Sequence, residues 1–347
     1  MITDLSRRDF LRTTAALGVA VTALGEAVAL EPEWERTSDR VIRIGVVGGG
    51  FGLSWHWHEH PNCRVEAVSD LIPDRRRQLA AKYSCKKTYE ALELLVLDSK
   101  VDAIALFTPA PDHARHVKLC MEHGKHVISA CPACMTLEEA AEMKAIQKKT
   151  GLTYMTAETS WFRWETIAAR ELHQQDAFGE MVYCEAEYYH PGIGRANDSH
   201  STLNGKRTWR YGFPPMLYPT HCTAFLIGVT GDHLSSVSCI GGADASEPAM
   251  KDNAYSNPFM NGMALFKTKL GMPFRCNVAW DILAHGERAQ WFGDNAALYM
   301  EGPGGQPFAL REDGNTTTPS PDYWRRIPEK MRYDSGHGKS HPFITNE

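Results

Sequence analysis

The chain has 347 residues, 43% of them hydrophobic and 23% charged, which is a globular composition long enough for two domains with separate cores. The net charge is −5 and no run of five or more basic residues occurs, so the sequence does not indicate a nucleic-acid-binding surface. Small-molecule chemistry is the function class that these numbers favour.

The N-terminal segment has the pattern of a twin-arginine export signal. Arg7 and Arg8 lie in SRRDFLRTT, an apolar run too short for a stable membrane span follows, and residues 27–29 read A-V-A, as at a signal cleavage site. We therefore expect residues 1–38 to be a signal peptide and linker that direct the protein through the twin-arginine export machinery to the periplasm. The alternative is an amphipathic helix that carries two arginines by chance.

This export route bears on the cofactor and on the nine cysteines. Proteins that use it fold before crossing the membrane, often around a cofactor acquired in the cytoplasm, so the route favours a bound cofactor. The cysteines show no regular spacing, and a chain that folds in a reducing compartment should keep most of them as buried thiols.

Strand-like and helix-like segments alternate over residues 39–157. Apolar runs such as VIRIGVV, VEAVS, AIALF and HVIS are separated by segments of helical length, which predicts a parallel sheet with crossover helices. We expect a Rossmann dinucleotide-binding domain here. Residues 158–347 instead contain successive strand-like runs, which predict an α+β domain with a mainly antiparallel open sheet, and residues 302–330 read as a long surface loop.

A glycine cluster follows the first predicted strand. Gly48, Gly50 and Gly52, with Phe51 between them, would let the backbone approach a pyrophosphate, and Asp70 closes the second strand 20 residues after Gly50. Asp70 would bond the ribose hydroxyls and repel a 2′-phosphate, so we predict NAD, with NADP less favoured.

The segment after the glycines departs from the G-x-G-x-x-G pattern, because its third glycine would fall at Leu53. We expect a helix there, on which His56 and His60 share a face and His58 points elsewhere, so no metal site is predicted. Residues 75–77 are three arginines, which we interpret as solvated surface of the next helix.

The segment TPAPDHARH leaves the carboxyl end of a predicted strand, where open α/β sheets bind their ligands. We place Thr108, Pro109 and His113 near the cofactor on this ground.

The glycine loop together with VEAVSD, FTPAPDHARHVKLCMEHGKHV and PACMTLEEA resembles the Gfo/Idh/MocA family, named after glucose-fructose oxidoreductase and inositol dehydrogenase. The resemblance covers nearly all of the mature chain. Members commonly carry Glu-Lys-Pro after GKHV, with a lysine that positions substrate. Here the motif falls on Ala130, Cys131 and Pro132, in the loop facing the nicotinamide, so a thiol replaces an ammonium group. The two cysteines of SACPACMT lack the second pair that a zinc site needs.

The segment LYPTH is similar to one in glycoside hydrolase family 109, a branch of the same family in which a tyrosine and a histidine act beside tightly held NAD. The resemblance implies His221 as acid/base and Tyr218 as its partner, on one face of a helical turn. Leu217 stands where many members have an aspartate. The alternative is that His221 only packs in a core.

Four further residues are candidate substrate contacts. Lys206, Arg207 and Arg210 of GKRTWRYG could meet sugar hydroxyls or a carboxylate, or could belong to a solvated loop, and the resemblance of GHGKSHPF to a family segment makes His341 a secondary candidate. The chain stops at ITNE, where relatives continue into a helix, so we expect a truncated C-terminus.

Three functions remain open at this point. The first is an NAD(P)-dependent oxidoreductase of Gfo/Idh/MocA type that acts on a secondary alcohol of a sugar with tightly bound cofactor. The second is a redox-neutral NAD-dependent glycosidase or lyase that works through a transient keto-sugar. The third is a non-catalytic protein that binds dinucleotide or sugar. By family analogy, the second domain's sheet predicts a homodimer or homotetramer.

Overall fold

The computed structural model describes residues 38–243, 246–283 and 285–300, together with the backbone of four short strands between residues 308 and 342. In chain order, the elements of the first half are β1 Ile42–Val47, β2 Cys63–Ser69, α1 Pro73–Lys82, β3 Thr88–Tyr89, α2 Leu92–Leu95, β4 Ala103–Leu106, α3 His113–Glu122, β5 His126–Ser129, α4 Leu137–Thr150 and β6 Tyr154–Thr156.

These strands form one parallel sheet in the order β3-β2-β1-β4-β5-β6. The strands are short and apolar because both faces of the sheet are covered, and the two faces carry separate clusters of buried side chains. The strand order reverses between β1 and β4, which is the point where doubly wound sheets bind dinucleotides. The predicted Rossmann architecture is confirmed.

The prediction of a helix after the glycine loop is wrong. Two 3₁₀ turns, Phe51–Ser54 and Trp57–Glu59, lead from the glycines towards β2. Tryptophan and histidine are weak helix formers, and Trp55 and Trp57 instead stack on each other with ring centroids 5.1 Å apart. Trp55 also stacks on Phe107, so the segment folds back onto the sheet.

The second half contains a mixed sheet. Its elements are α5 Trp164–Gln174, β7 Met181–Tyr189, β8 Thr202–Leu203, β9 Lys206–Arg207, α6 Thr220–Thr230, β10 Leu234–Gly242, α7 Pro248–Lys251, β11 Asn261–Thr268, β12 Pro273–Ala279, β13 Gly286–Gly293, β14 Ala296–Tyr299, β15 Phe308–Arg311, β16 Thr316–Thr317, β17 Arg332–Asp334 and β18 Ser340–Pro342.

Eight of these strands pair in the order β10-β11-β12-β7-β13-β14-β15-β16. The pairing is antiparallel except between β7 and β12, which are parallel, so the predicted, mainly antiparallel sheet is confirmed with one parallel contact. Helix α6 lies on one face, over a core that includes Phe225, Trp280 and Trp291. Trp291 fixes the helix by donating its indole N–H to the Phe225 carbonyl, at 2.9 Å.

Two predictions for this half need correction. Strand β13, with the sequence GERAQWFG, is not among the predicted strands, because its charged and glycine residues hide the alternation of a strand. The segment 302–330 is not one continuous loop, because β15 and β16 extend the sheet. Within the described residues, no helix is both long enough and apolar enough to cross a membrane.

Candidate active site

The glycine loop passes so close to β4 that Gly48 admits no side chain. Gly48 has φ +98°, and a Cβ atom there would lie 2.3 Å from the Phe107 carbonyl oxygen. A Cβ atom on Gly52 would lie 3.0 Å from the Phe107 ring. The loop therefore presents bare backbone at the carboxyl end of β1, the geometry that a dinucleotide pyrophosphate requires.

Asp70 lies directly after β2, where the sequence predicted it. Its carboxylate accepts the Gly49 N–H at 2.6 Å and the Ile72 N–H at 2.7 Å, which ties the end of β2 to the glycine loop. Arg76, expected as solvated surface, is instead largely covered, and its guanidinium donates to the Asp70 carbonyl at 2.7 Å. Arg75 is exposed and lies over the loop, where a Cβ atom on Gly50 would be 3.9 Å from its guanidinium.

Thr108 and Pro109 follow β4 at the same edge of the sheet. His113 is only 1% exposed, and its two ring nitrogens lie 2.7 Å from the Pro132 carbonyl oxygen and 2.8 Å from the Thr108 carbonyl oxygen. Because both nitrogens are engaged, the predicted direct contact of His113 with the cofactor is not supported. His113 holds the loops after β4 and β5 together.

Cys131 and Pro132 lie in the loop after β5. The Cys131 thiol lies 3.2 Å from Oε2 of Glu158 and can donate to that carboxylate. All nine cysteines are free thiols and five of them are buried, so Cys131 and Cys134 form no disulfide. Burial raises the pKa of the Cys134 thiol, which disfavours a reactive thiolate.

His221 is the second residue of α6 and is 1% exposed. Its Nδ1 lies 2.8 Å from Oε1 of Glu158, and its ring stacks on Tyr188 with centroids 4.2 Å apart. Glu158 is itself buried and also accepts the Ser160 N–H at 2.9 Å. Burial alone would raise the pKa of Glu158, but the adjacent His221 holds it below its ordinary value, so the carboxylate stays ionised.

Tyr218 and His221 lie together, although not on one helix as predicted. Tyr218 ends the 3₁₀ turn Pro215–Leu217, and α6 begins two residues later. The two ring centroids are 4.8 Å apart, and Tyr218 also lies 5.8 Å from Tyr188. The tyrosine therefore contacts the histidine from the chain that enters the helix.

A second buried carboxylate completes the polar cluster. Glu287 is paired in register with Tyr188, so both side chains project from the sheet towards α6. Its side chain is 3% exposed, accepts from Ser160 Oγ at 2.6 Å and from Arg163 Nε at 2.6 Å, and forms an ion pair with Arg163. Burial opposes ionisation, but Arg163 outweighs it and lowers the pKa of Glu287 to about 2.

The residues predicted to contact the substrate are mostly exposed or already engaged by other side chains. Lys206 and Arg207 form β9 of an exposed hairpin, and Arg207 is engaged by Asp252 at 2.8 Å and by the Tyr211 ring. Arg210 is half-buried over Trp209. His341 lies in β18, and its side chain is outside the described part of the chain.

Sequence reasoning missed the two carboxylates and the arginine of this cluster. Glu158 follows β6 at the carboxyl edge of the parallel sheet, the same signal that singled out Asp70, but the predicted domain boundary falls one residue before it. Glu287 and Arg163 had no comparable signal, because β13 is not predicted and the Arg163–Glu287 contact joins positions 124 residues apart.

Comparison with known proteins identifies the nucleotide-binding half. Residues 42–158 match the GFO_IDH_MocA family model, described as an oxidoreductase family with an NAD-binding Rossmann fold. Among curated proteins, the chain is similar to glycosyl hydrolase family 109 protein 1 of Bacteroides fragilis, at 28% identity over 162 residues, which cover 43% of this chain and 35% of that protein. A family 109 protein of Shewanella baltica is 25% identical over 248 residues, or 63% of this chain and 53% of that protein. The chain thus spans about a third to a half of the length of these relatives.

Solved structures share the fold across most of the chain. Scyllo-inositol dehydrogenase of Lactobacillus casei, with bound NAD(H) and scyllo-inositol, matches with a TM-score of 0.61 at 16% identity, over 82% of this chain and 85% of that chain. Levoglucosan dehydrogenase in complex with NADH matches with a TM-score of 0.65 at 15% identity, over 84% of each chain. At such identities the likeness establishes the architecture alone.

Proposed function

We propose that this chain, whose nucleotide-binding half belongs to the Gfo/Idh/MocA oxidoreductase family, is an NAD(P)-dependent enzyme that transfers hydride at a secondary alcohol of a sugar or sugar derivative. The observation that carries the proposal is the 2.8 Å contact between His221 and Glu158. It joins a titratable ring to a buried, ionised carboxylate at the edge of the sheet where dinucleotides bind.

The described residues fit a bound dinucleotide. Gly48 leaves the pyrophosphate approach clear, and Asp70 is placed for the ribose hydroxyls once it exchanges its backbone contacts for them. A carboxylate at this position favours NAD over NADP, because it would repel a 2′-phosphate. When bound, the nicotinamide supplies hydride transfer.

Residues of this chain transfer the proton of the substrate hydroxyl. Glu158 fixes the His221 ring through Nδ1 and stabilises its protonated form, so we assign Nε2 as the atom that exchanges a proton with the substrate hydroxyl. The Tyr218 ring packs against His221, and its hydroxyl is the candidate second proton donor. Tyr188 stacks on one face of the His221 ring, which shields that face from water.

A redox-neutral glycosidase is the second candidate, and two observations favour it. The position of the family lysine holds Cys131, whose thiol contacts Glu158, and curated relatives are named as family 109 glycosyl hydrolases. In this scheme a sugar hydroxyl is oxidised to a ketone, which acidifies the adjacent C–H. A base then removes that proton, the glycosidic bond breaks by elimination, and water and hydride are added back.

One experiment separates these functions. Purified protein is first analysed for bound dinucleotide by mass spectrometry, and then incubated with a panel of glycosides without added cofactor. Release of the aglycone with no net change in nicotinamide absorbance would establish the glycosidase. A keto-sugar product coupled to reduction of an acceptor sugar would establish the oxidoreductase. Bound dinucleotide with neither a product nor any absorbance change would leave a binding protein, and absence of dinucleotide would refute both enzymes.

We also propose export and self-association. The twin-arginine pattern around Arg7 and Arg8 supports a periplasmic location, which requires a cofactor that stays bound because NAD is not supplied there.

On the open face of the mixed sheet, Ile240 is 78% exposed, Met263 61% and Leu265 62%, and the register of β10 with β11 aligns them. A second copy of the chain would cover this face. Ile240→Asp should convert an oligomer to monomer in light scattering, whereas an unchanged mass would refute this face.

A further inference from the structure

The two 3₁₀ turns after the glycine loop bring three metal-binding side chains together. One ligand atom each from His56, His58 and Glu59 lies within 4.8 Å of the other two. His56 Nδ1 and Glu59 Oε1 are 3.0 Å apart, close to the ~3.3 Å that separates two ligands of tetrahedral zinc. A helix would have kept His56 and Glu59 on one face but turned His58 away from them.

Aromatic contacts and hydrogen bonds hold the turn in place without a bound ligand. Trp55 and Trp57 stack on each other, and Tyr83 donates its hydroxyl to the carbonyls of Gly52 and Trp55, at 2.7 and 2.9 Å. His58 packs edge-on against the Tyr83 ring. The backbone of the turn and the His58 ring are therefore held by packed aromatic side chains, which reduces the entropy lost on binding.

One atom of the cluster indicates a ligand independently. Oε2 of Glu59 is buried, and among the residues that the structure describes it has no hydrogen-bond partner. A buried carboxyl oxygen without a hydrogen-bond partner is costly, and a bound cation would supply the missing partner. The nearby Lys82 donates its ammonium to the Leu53 carbonyl, and it acts on the Glu59 carboxylate through coulombic attraction without a hydrogen bond to Oε2. His58 is exposed, which leaves an entry route for an ion.

From this geometry we propose that His56, His58 and Glu59 form a binding site for a divalent metal ion of the zinc class. Two imidazoles and one carboxylate are a ligand set that zinc accepts, with the remaining position filled by water. The site is separate from the His221 cluster. It lies on the segment that follows the glycine loop, so an ion there would stiffen the chain beside the cofactor.

The direct measurement uses the full chain, purified without a polyhistidine tag and stripped with a chelator. Zinc is then titrated in competition with a chromophoric chelator, and we expect one tight equivalent. Cobalt(II) in place of zinc should give the visible absorption bands of a low-coordinate nitrogen and oxygen site, without the thiolate charge-transfer band that a cysteine site would produce.

Variants assign the ion to this turn. Removing a side chain that binds the ion directly, in His58→Ala or Glu59→Gln, should weaken zinc binding by more than the ~10–100-fold typical of losing a residue that only orients a ligand. His200→Ala is the matched control, because His200 also lies beside a carboxylate, that of Asp198, at 3.4 Å, and outside this cluster. Near-ultraviolet circular dichroism verifies that each variant is folded. Equal affinity in wild type and both variants would show that His56 and Glu59 form only an ion pair, and would overturn the proposal.

Discussion

Nδ1 of His221 and Oε1 of Glu158 lie 2.8 Å apart, although the two residues are far apart along the chain. Glu158 follows β6, and His221 lies in α6. Glu158 comes from the end of the nucleotide-binding sheet, and His221 comes from a helix that packs on the second sheet. Because both side chains are buried, neither can exchange this partner for water. The pair fixes the orientation of the ring against the loop that carries Cys131.

Glu158→Gln should lower kcat with little change in the affinity for NAD. The amide keeps the volume but cannot stabilise a protonated His221, and general acid–base catalysis of this kind contributes roughly 10²–10⁴-fold. Steady-state kinetics with the substrate found in the glycoside panel measures the loss. Glu187→Gln is the control, since Glu187 is also buried but bonds to Tyr189. An unchanged kcat in Glu158→Gln would assign the pair to structure alone.

Cys131→Ala should retain activity within about tenfold, because the thiol is a weak donor and Glu158 keeps its contacts with His221 and the Ser160 N–H. Cys131→Ser should be nearer to wild type, since a hydroxyl restores the hydrogen bond. Cys134→Ala should be neutral for kcat. If both alanine variants lost activity equally, a dithiol function would replace the present interpretation.

Gly48→Ala should abolish NAD binding. Comparison with Gly124→Ala separates the effect of the new Cβ contact from the effect of backbone strain. Both glycines have positive φ, +98° and +74°, so alanine is strained in either place at a cost of roughly 1–2 kcal/mol. Only at Gly48 would the new Cβ meet a backbone oxygen, whereas at Gly124 nothing lies within 4 Å. Calorimetric NAD titrations should therefore separate the two variants, and similar NAD affinities would contradict a close approach at Gly48.

Glu287 should make folding stability depend on pH in acid. Its pKa is lowered from 4.5 to about 2 in the folded protein, so its contribution is complete above pH ~4.5 and disappears as pH falls towards ~2. The size of the shift corresponds to about 3 kcal/mol of unfolding free energy at neutral pH.

Urea denaturation of wild type and Glu287→Gln at several pH values measures this term. The difference between the two proteins should be largest at neutral pH and should shrink in acid. A difference that stayed constant across the range would show that packing, and not the ion pair with Arg163, stabilises the position.

The sequence predicted those parts of the structure that depend on local pattern. Asp70 could be found because it ends an apolar strand at a fixed distance from the glycines. Glu158 carried the same kind of signal at the end of β6, and a boundary one residue too early concealed it. The helix expected around His56 failed because stacking of Trp55 on Trp57 and Phe107 decides that backbone, and such contacts are set by tertiary structure.

The second sheet was harder for the same physical reason. The strands β7, β10, β11, β12 and β14 were visible as strand-like runs. Strand β13 was not, because its arginine and glutamate face opposite sides and it pairs with β7, about a hundred residues earlier. Glu287 can be charged within the core only because Arg163 arrives from another element. A local pattern cannot show a compensation of that kind.

The position of Glu158 and His221 on different halves of the molecule has a consequence for how the molecule can be divided. The nucleotide-binding sheet carries the carboxylate, and the helix on the second sheet carries the ring, so the pair that we propose to transfer the proton belongs to neither half by itself. Recombination that joined this nucleotide-binding half to another partner would transmit cofactor recognition but not chemistry. The proposed proton transfer therefore depends on both halves of the chain.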